Sequence, residues 1–353
     1  MWPFKEKRSS VENPQVPISN RAILDYFGLN DISSAGESVT VETALGVPSV
    51  WAAVNVISGT IARLPLHVYR KTDKGRQRSD QPISGILHDA VNDEMSSFQW
   101  RKHLFQQVLT TGRGVSFIER NKAGRVKNIW PLDPAGLTIK RVDGRKVYEY
   151  RDGTRLVKYA ATDVIDIPFA LRPDGLKHFS PIMQNREAIG LAQAVTKHGG
   201  KYFSNGGVPP FAVTGNFQSG QAMQRASDDL QAAVKKATSE NRMALTMPAG
   251  LEIQSIGGDP EKMQMVELQR FCVEQIARIF SLSPIFLQDL THGTFSNTEQ
   301  QDLHFVKHTL GSWIECFEQE MNLKLFGRSN SSQYVELNVD GLLRGDFKTR
   351  MDG

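Results

Sequence analysis

His304 and His308 stand four positions apart in a helical pattern, the spacing at which two imidazoles share one face and hold zinc. A metalloprotease helix of that kind also carries a glutamate base directly after the first histidine, and Phe305 occupies that place. Asp163 and Asp166 enclose Val164 and Ile165 in a strand-like run, so their carboxylates point to opposite faces and make a poor two-metal nuclease centre. The chain has no GxxxxGK[ST] phosphate loop, no GxSxG nucleophile elbow and no GxGxxG dinucleotide fingerprint. These patterns speak against a metal, a cofactor or catalysis and for a protein that is not an enzyme. The stretch left as the functional candidate is a polar loop without a lysine or arginine, Asp289-Leu290-Thr291-His292-Gly293-Thr294-Phe295-Ser296-Asn297.

Two long helices must hold that loop. Before it, Met265, Leu268, Cys272, Ile276 and Ile279 fall at steps of three and four, on one face of a helix that Pro284 is expected to close. After it, Leu303, Val306, Leu310, Trp313, Phe317 and Met321 repeat the pattern. Ser296 and Glu299 form a capping box at its start, and Glu299 with Asp302 suits the positive end of the helix dipole. Cys272 and Cys316 lie on these apolar faces and read as two buried thiols of a reducing compartment, with a disulfide between them as the alternative.

The chain has 353 residues, 40% hydrophobic and 23% charged, enough for two or three sub-domains with real cores. The uncharged run from Thr43 to Ala62 is broken by Gly46, Pro48, Asn55 and Gly59, which argues against a membrane span. No apolar stretch follows Lys5–Arg8, so no secretion signal is expected. From 1 to 42 the chain reads as a flexible arm with one short helix near Ala22–Phe27. An amphipathic helix follows from Pro48, with Val50, Trp51, Val54, Ile57 and Ile61 inward, then a strand over Leu64–Arg70. Another helix covers Ser97–Thr111, with Gly112 as its stop. From Val115 to Phe169 the period changes to two, with turns at Lys122-Ala123-Gly124, Asp143-Gly144 and Asp152-Gly153, which reads as one antiparallel meander. Ser180-Pro181 caps a long helix to about Ser204. Strands over Pro210–Thr214, Met243–Met247 and Leu251–Ile256 and a helix over Gln221–Thr238 make a small α/β insert. The fold class is α+β.

Ordered landmarks along the chain resemble the HK97-type portal proteins of tailed bacteriophages. They include Ser49-Val50-Trp51-Ala52-Ala53-Val54-Asn55, Leu64-Pro65-Leu66-His67-Val68-Tyr69, Trp130-Pro131-Leu132-Asp133-Pro134, Phe203-Ser204-Asn205-Gly206, Leu342-Leu343-Arg344-Gly345-Asp346 and, most specifically, Thr294-Phe295-Ser296-Asn297-Thr298-Glu299-Gln300. The resemblance implies a ring of identical subunits, commonly twelve, at one capsid vertex. It implies that double-stranded DNA is packaged and ejected through that ring without sequence preference. It also implies a terminase large subunit, a head-tail adaptor and the major capsid protein as partners, and a virion location after assembly in the host cytoplasm. In that scheme 43–179 is a wing containing the meander, 180–207 and 258–285 are stem helices, 208–257 is an α/β clip and 286–298 is a tunnel loop. The helix at 299–327 spans the wing, and 328–353 opens a reduced crown, since the chain stops at Gly353 where family members continue. Gly311 stands where the family often has a helix-breaking proline, and a bend is expected there.

Charge agrees with a conduit. From Arg101 to Tyr159 there are fourteen Lys/Arg against five Asp/Glu, whereas from Asp259 to Phe326 there are five against ten. A duplex that must slide cannot be held at many phosphates, because each cationic contact adds counterion-release affinity. The loop residues Thr291, His292, Gly293, Thr294, Phe295, Ser296 and Asn297 would meet the backbone weakly and without reading sequence. Lys197, His198 and Lys201 are candidates for facing DNA, although cations near a helix C-terminus also suit the dipole. Arg225, Lys235, Lys236 and Arg242 are candidates for an acidic partner, against the alternative of a solvated helix face. The basic meander is a candidate for meeting packaged DNA or the capsid interior, against the alternative of a solvated, positively charged sheet. The competing readings are a capsid or adaptor protein without a DNA channel, and a DNA-processing enzyme with a dispersed site.

Overall fold

Thr40 and Ser96 each accept a hydrogen bond from the amide three residues on, while Thr43 and Gln99 reach back, so two helices begin at capping boxes. These open α1 (Val41–Leu45), α2 (Pro48–Arg63), β1 (Leu66–Thr72), β2 (Gly75–Arg78), α3 (Pro82–His88) and α4 (Ser97–Thr110). The structure, a computed structural model, describes residues 31–204, 211–215, 217, 219–239, 251–255, 262–288, 298–328 and 332–343. The chain divides into two units, Met1–Gly190 with Val273–Gly353, and Leu191–Cys272.

In the first unit α2 buries Val50, Val54, Ile57 and Ile61 as expected, but Trp51 is 55% exposed. The buried stripe runs through Ala53 instead, which places the indole at its solvent edge. α4 buries Trp100, Leu104, Phe105 and Val108. Its Arg101 is buried without a carboxylate: the guanidinium donates to the carbonyl of Leu64, which caps the C-terminus of α2, and to that of Ser97. Burial lowers its pKa to about 10, and the negative end of α2 supplies the compensating field.

The expected single meander is two sheets. β3 (Arg113–Arg120), β4 (Val126–Leu132), β5 (Leu137–Val142), β6 (Arg145–Asp152), β7 (Arg155–Ala160) and β8 (Val164–Pro168) arrange as β4-β3-β8 and β5-β6-β7, all antiparallel. β8 does not continue from β7; it crosses to pair with β3, Phe117 opposite Val164. Asp143 and Gly144 have φ of 50° and 77°, the type I′ geometry expected for that pair. At the next turn Asp152 pairs with Arg155, so Gly153 (φ 58°) and Thr154 are central and the turn is shifted by one residue from the Asp-Gly expectation. Val115, Leu132, Tyr148 and Val164 form a common core for the two sheets, with Phe117 stacked on Tyr159 at 4.3 Å between ring centres.

Gly112 (φ 92°) follows α4, and a Cβ there would lie 2.3 Å from the Phe179 carbonyl oxygen, so only glycine lets the two chains approach. The long helix expected from Pro181 is broken. α5 (Pro181–Gln184) ends at Asn185, whose side-chain amide donates to the Pro181 carbonyl, and α6 (Arg186–Ser204) starts afresh.

The second unit contains most of α6, then β9 (Phe211–Gly215), α7 (Gly220–Ser239), β10 (Leu251–Ser255) and the first part of α8 (Lys262–Ile279). β10 pairs antiparallel with β9. The strand expected over Met243–Met247 lies outside the described residues, as does the short helix near Ala22–Phe27.

Helix resumes as α9 (Thr298–His304), widens to a π stretch over Phe305–Leu310 and continues as α10 (Gly311–Leu325). Phe317 packs between Trp100 and Phe105, with ring centres 6.0 and 5.9 Å away. β11 (Gln333–Leu337) pairs antiparallel with β1, in the order β11-β1-β2, before a last short helix α11 (Asp340–Leu343). Thus part of the segment expected to open a crown supplies a strand of the first unit. No described helix is long and apolar enough to cross a membrane.

Candidate functional site

The loop Thr291–Asn297 itself, with the Ser296 cap, lies outside the described residues, and its frame is what can be built. α8 stops at Ile279, short of Pro284, because Ser281 takes a left-handed φ of 53° and the Leu282 amide bonds back to Ala277. Pro284 opens a 3₁₀ turn, Pro284–Leu287, and Gln288 (φ 64°) then directs the chain into 289–297. Three contacts join the two sides of the loop. The Ser283 hydroxyl donates to Gln301 Oε1 at 3.1 Å, the buried Thr309 hydroxyl donates to the Ser281 carbonyl, and the Phe286 and Phe305 rings lie 4.5 Å apart. These contacts hold the segment before the loop, from Ser281 to Phe286, against the helix that follows it, from Gln301 to Thr309.

The π stretch is part of this clamp. Its wider turn buries Phe305, Val306, Thr309 and Leu310 together, and two of these are the clamping side chains. Gly311, where a bend was expected, keeps helical angles (φ −54°, ψ −44°); the irregularity is taken up just before it. Leu303, expected on the buried face, is 54% exposed, while Leu310, Phe317 and Met321 are fully buried. The His304 and His308 rings lie 4.4 Å apart on the exposed side. Among the described residues no group of three or more His, Cys, Asp or Glu is placed to hold a metal ion. Cys272 is buried and Cys316 half-buried, both unbridged, and burial raises both thiols.

The polar cluster that locks α10 to both sheets was not anticipated. Asp166 on β8 is buried with Arg113 of β3, Nε to Oδ1 at 2.9 Å, and its Oδ2 accepts from Tyr148 at 2.6 Å and Lys146 at 3.0 Å. Its own amide donates to Glu320 at 2.9 Å, and Lys324 approaches the same carboxylate at 3.5 Å. Arg113 also donates to the Leu176 carbonyl at 2.8 Å. Burial, reinforced by the neighbouring Asp166 carboxylate, pushes the Tyr148 hydroxyl far up, and burial raises Glu320. Asp163, by contrast, sits in a 3₁₀ turn and pairs with Arg120 at 3.0 Å, so the two aspartates serve separate partners. One signal in the sequence could have found this cluster: a lone carboxylate inside the apolar run Val164-Ile165-Asp166-Ile167 needs a buried cation.

In the second unit Lys197, His198 and Lys201 are all exposed on α6, while Gly199 between them is buried, with the Met265 methyl 3.5 Å from where its Cβ would be. Arg225 and Lys236 are exposed on α7 about three turns apart, hence on one face. Lys235 belongs to the same helix and Arg242 lies outside the described residues.

Comparison with known proteins covers nearly the whole chain. Residues 48–353 match the family model described as phage portal protein. The probable portal protein of Streptomyces phage phiC31 is 31% identical over 342 residues, 92% of this chain and 74% of that protein. Among solved structures, an HK97 family phage portal protein from Corynebacterium diphtheriae superposes with a TM-score of 0.66 at 14% identity, covering 87% of this chain and 98% of that one. A chain from the neck of a native gene transfer agent particle, computed with C12 symmetry, gives 0.61 at 17% identity, covering 87% and 84%. The chain belongs to the phage portal protein family.

Proposed function

We propose that copies of this chain close into a ring, of twelve subunits, whose central passage carries double-stranded DNA into a phage head and later out of it. The observation that carries this reading is the match to portal proteins over residues 48–353, which includes the loop and both of its flanking helices. The clamp of Ser283–Gln301, Thr309–Ser281 and Phe286–Phe305 supports the loop's part by holding together the segments on either side of it, and a loop without lysine or arginine is suited to lining a passage that must not grip phosphates. In this reading the sheets and α10 form the wing, α6 and α8 the stem, β9, α7 and β10 the clip, and Thr291–Asn297 the tunnel loop. The terminase large subunit and the head-tail adaptor dock at the clip end, where Arg225 and Lys236 offer charge, and the major capsid protein surrounds the wing.

Mass measurement with electron micrographs tests the ring. Annular particles with a central hole are expected, and a small monomer under assembly conditions would sink the proposal. Replacing Thr294 and Asn297 with lysine is expected to leave the ring intact and slow DNA passage. Unchanged packaging would remove the loop from the passage.

A further inference from the structure

Alternation along β5, β6 and β7 sends one set of side chains into the core and the other to water. Leu137, Ile139, Tyr148, Tyr150 and Tyr159 pack inward. The outward set includes Lys140, Arg145, Arg151 and Lys158, all exposed, with one carboxylate, Glu149, at its centre. Lys140 Nζ lies 2.7 Å and Lys158 Nζ 3.5 Å from Glu149, and the Lys140 hydrogen bond, more than any other contact, holds that carboxyl below its ordinary range. Arg145 and Arg151 form no ion pair among the described residues. Four cations against one carboxylate therefore cover one face of a three-stranded sheet, with Lys140 and Lys158 on outer strands whose backbones run about 10 Å apart.

We infer that this outer face is a docking platform for the sugar-phosphate backbone of duplex DNA, separate from the passage. The inference rests on the portal reading, which brings the duplex to the particle. A protein partner of comparable extent would call for an apolar centre with a polar rim. Here the arrangement differs: the centre holds Glu149 between two lysines beside the half-buried Val147, and the large exposed aliphatic side chains, Val142 and Leu156, stand at opposite ends. A centre with charged groups and no large exposed apolar anchor suits a polyanion held by counterion release, and no register of donors and acceptors is needed to read bases. Glu149 tempers the field by sharing the two exposed lysines with the duplex, so the contact stays weak and the duplex remains movable.

The test uses the full assembled chain, a short duplex of random sequence and a salt titration of fluorescence anisotropy. Combining Lys140→Gln, Arg145→Gln, Arg151→Gln and Lys158→Gln is expected to weaken binding roughly tenfold or more near 0.1 M salt. It should also flatten the log-affinity against log-salt slope by about 3 to 4, since each phosphate contact contributes about 0.9. Glu149→Gln is expected to change affinity in the opposite direction, strengthening it. Micrographs of each variant accompany the titration. Intact rings with unchanged affinity and slope overturn the inference, as does an unsubstituted ring that binds no duplex. Rings lost only in the fourfold variant would make this face a subunit contact, and polyglutamate capture without any effect on the duplex would make it a site for acidic protein. Either result also overturns the inference. Absence of rings in the unsubstituted chain would instead refute the portal reading.

Discussion

Strand β8 is buried at four consecutive positions, Val164 to Ile167, whereas β7 alternates between exposed and half-buried from Arg155 to Ala160. Both belong to three-stranded sheets that share one core, yet β8 is covered on both faces and β7 on one. The difference decides what a charge does in each. Asp166, covered by α10, must find Arg113, Lys146 and Tyr148 or remain a desolvated anion. The outward cations of β5-β6-β7 remain hydrated and contribute little to stability.

The comparison breaks most readily at Asp166. Asp166→Ala should destabilise the protein by about 3–5 kcal/mol in denaturant unfolding, because the buried Arg113 guanidinium loses its carboxylate. A loss of well under 1 kcal/mol would mean that water reaches the cluster. Tyr148→Phe removes one hydrogen bond to a charged acceptor in a fully buried site and should cost about 1.5–3 kcal/mol. Smaller effects are expected from acid. Burial holds His103 and His178 below the usual imidazole range of about 6.5, so the unfolded chain takes up those protons first. Their contribution is present above that value and is lost as pH falls through it, so the melting temperature should decline between about pH 7 and 5 and decline less in a variant with both histidines replaced by glutamine. Least of all, Arg151→Ser on the open face should change stability by no more than about 0.5 kcal/mol. A larger loss there would show that the face is covered after all.

Much of the local structure was legible. Ser180 and Pro181 announce a helix start, Asp143-Gly144 a type I′ turn, and the three- and four-residue steps of α2, α4 and α10 their buried stripes. The helix break at Asn185 was not, since its cause is a side chain that competes for a carbonyl within an otherwise continuous pattern. Trp51 and Leu303 belong to apolar patterns but are exposed, because periodicity gives a face and not the neighbour that covers it. Of the candidate site, whose loop residues lie outside the described residues, the two flanking helices were apparent. The clamp was not, because Ser283, Phe286, Gln301 and Thr309 are polar or aromatic residues with no distinctive spacing.

The sequence by itself determined where helices and turns begin, since caps, prolines and glycines act through backbone geometry within a few residues. It also set the contrast between a basic meander and an acidic helical pair. Only tertiary structure decided that β8 joins β3 and not β7, that β11 returns to β1, and that Asp166 becomes the buried hub between sheet and helix. Strand pairing and ion pairing across long stretches of chain depend on which surfaces meet. Many partners satisfy the same local pattern, and the one chosen is the one whose core closes around it.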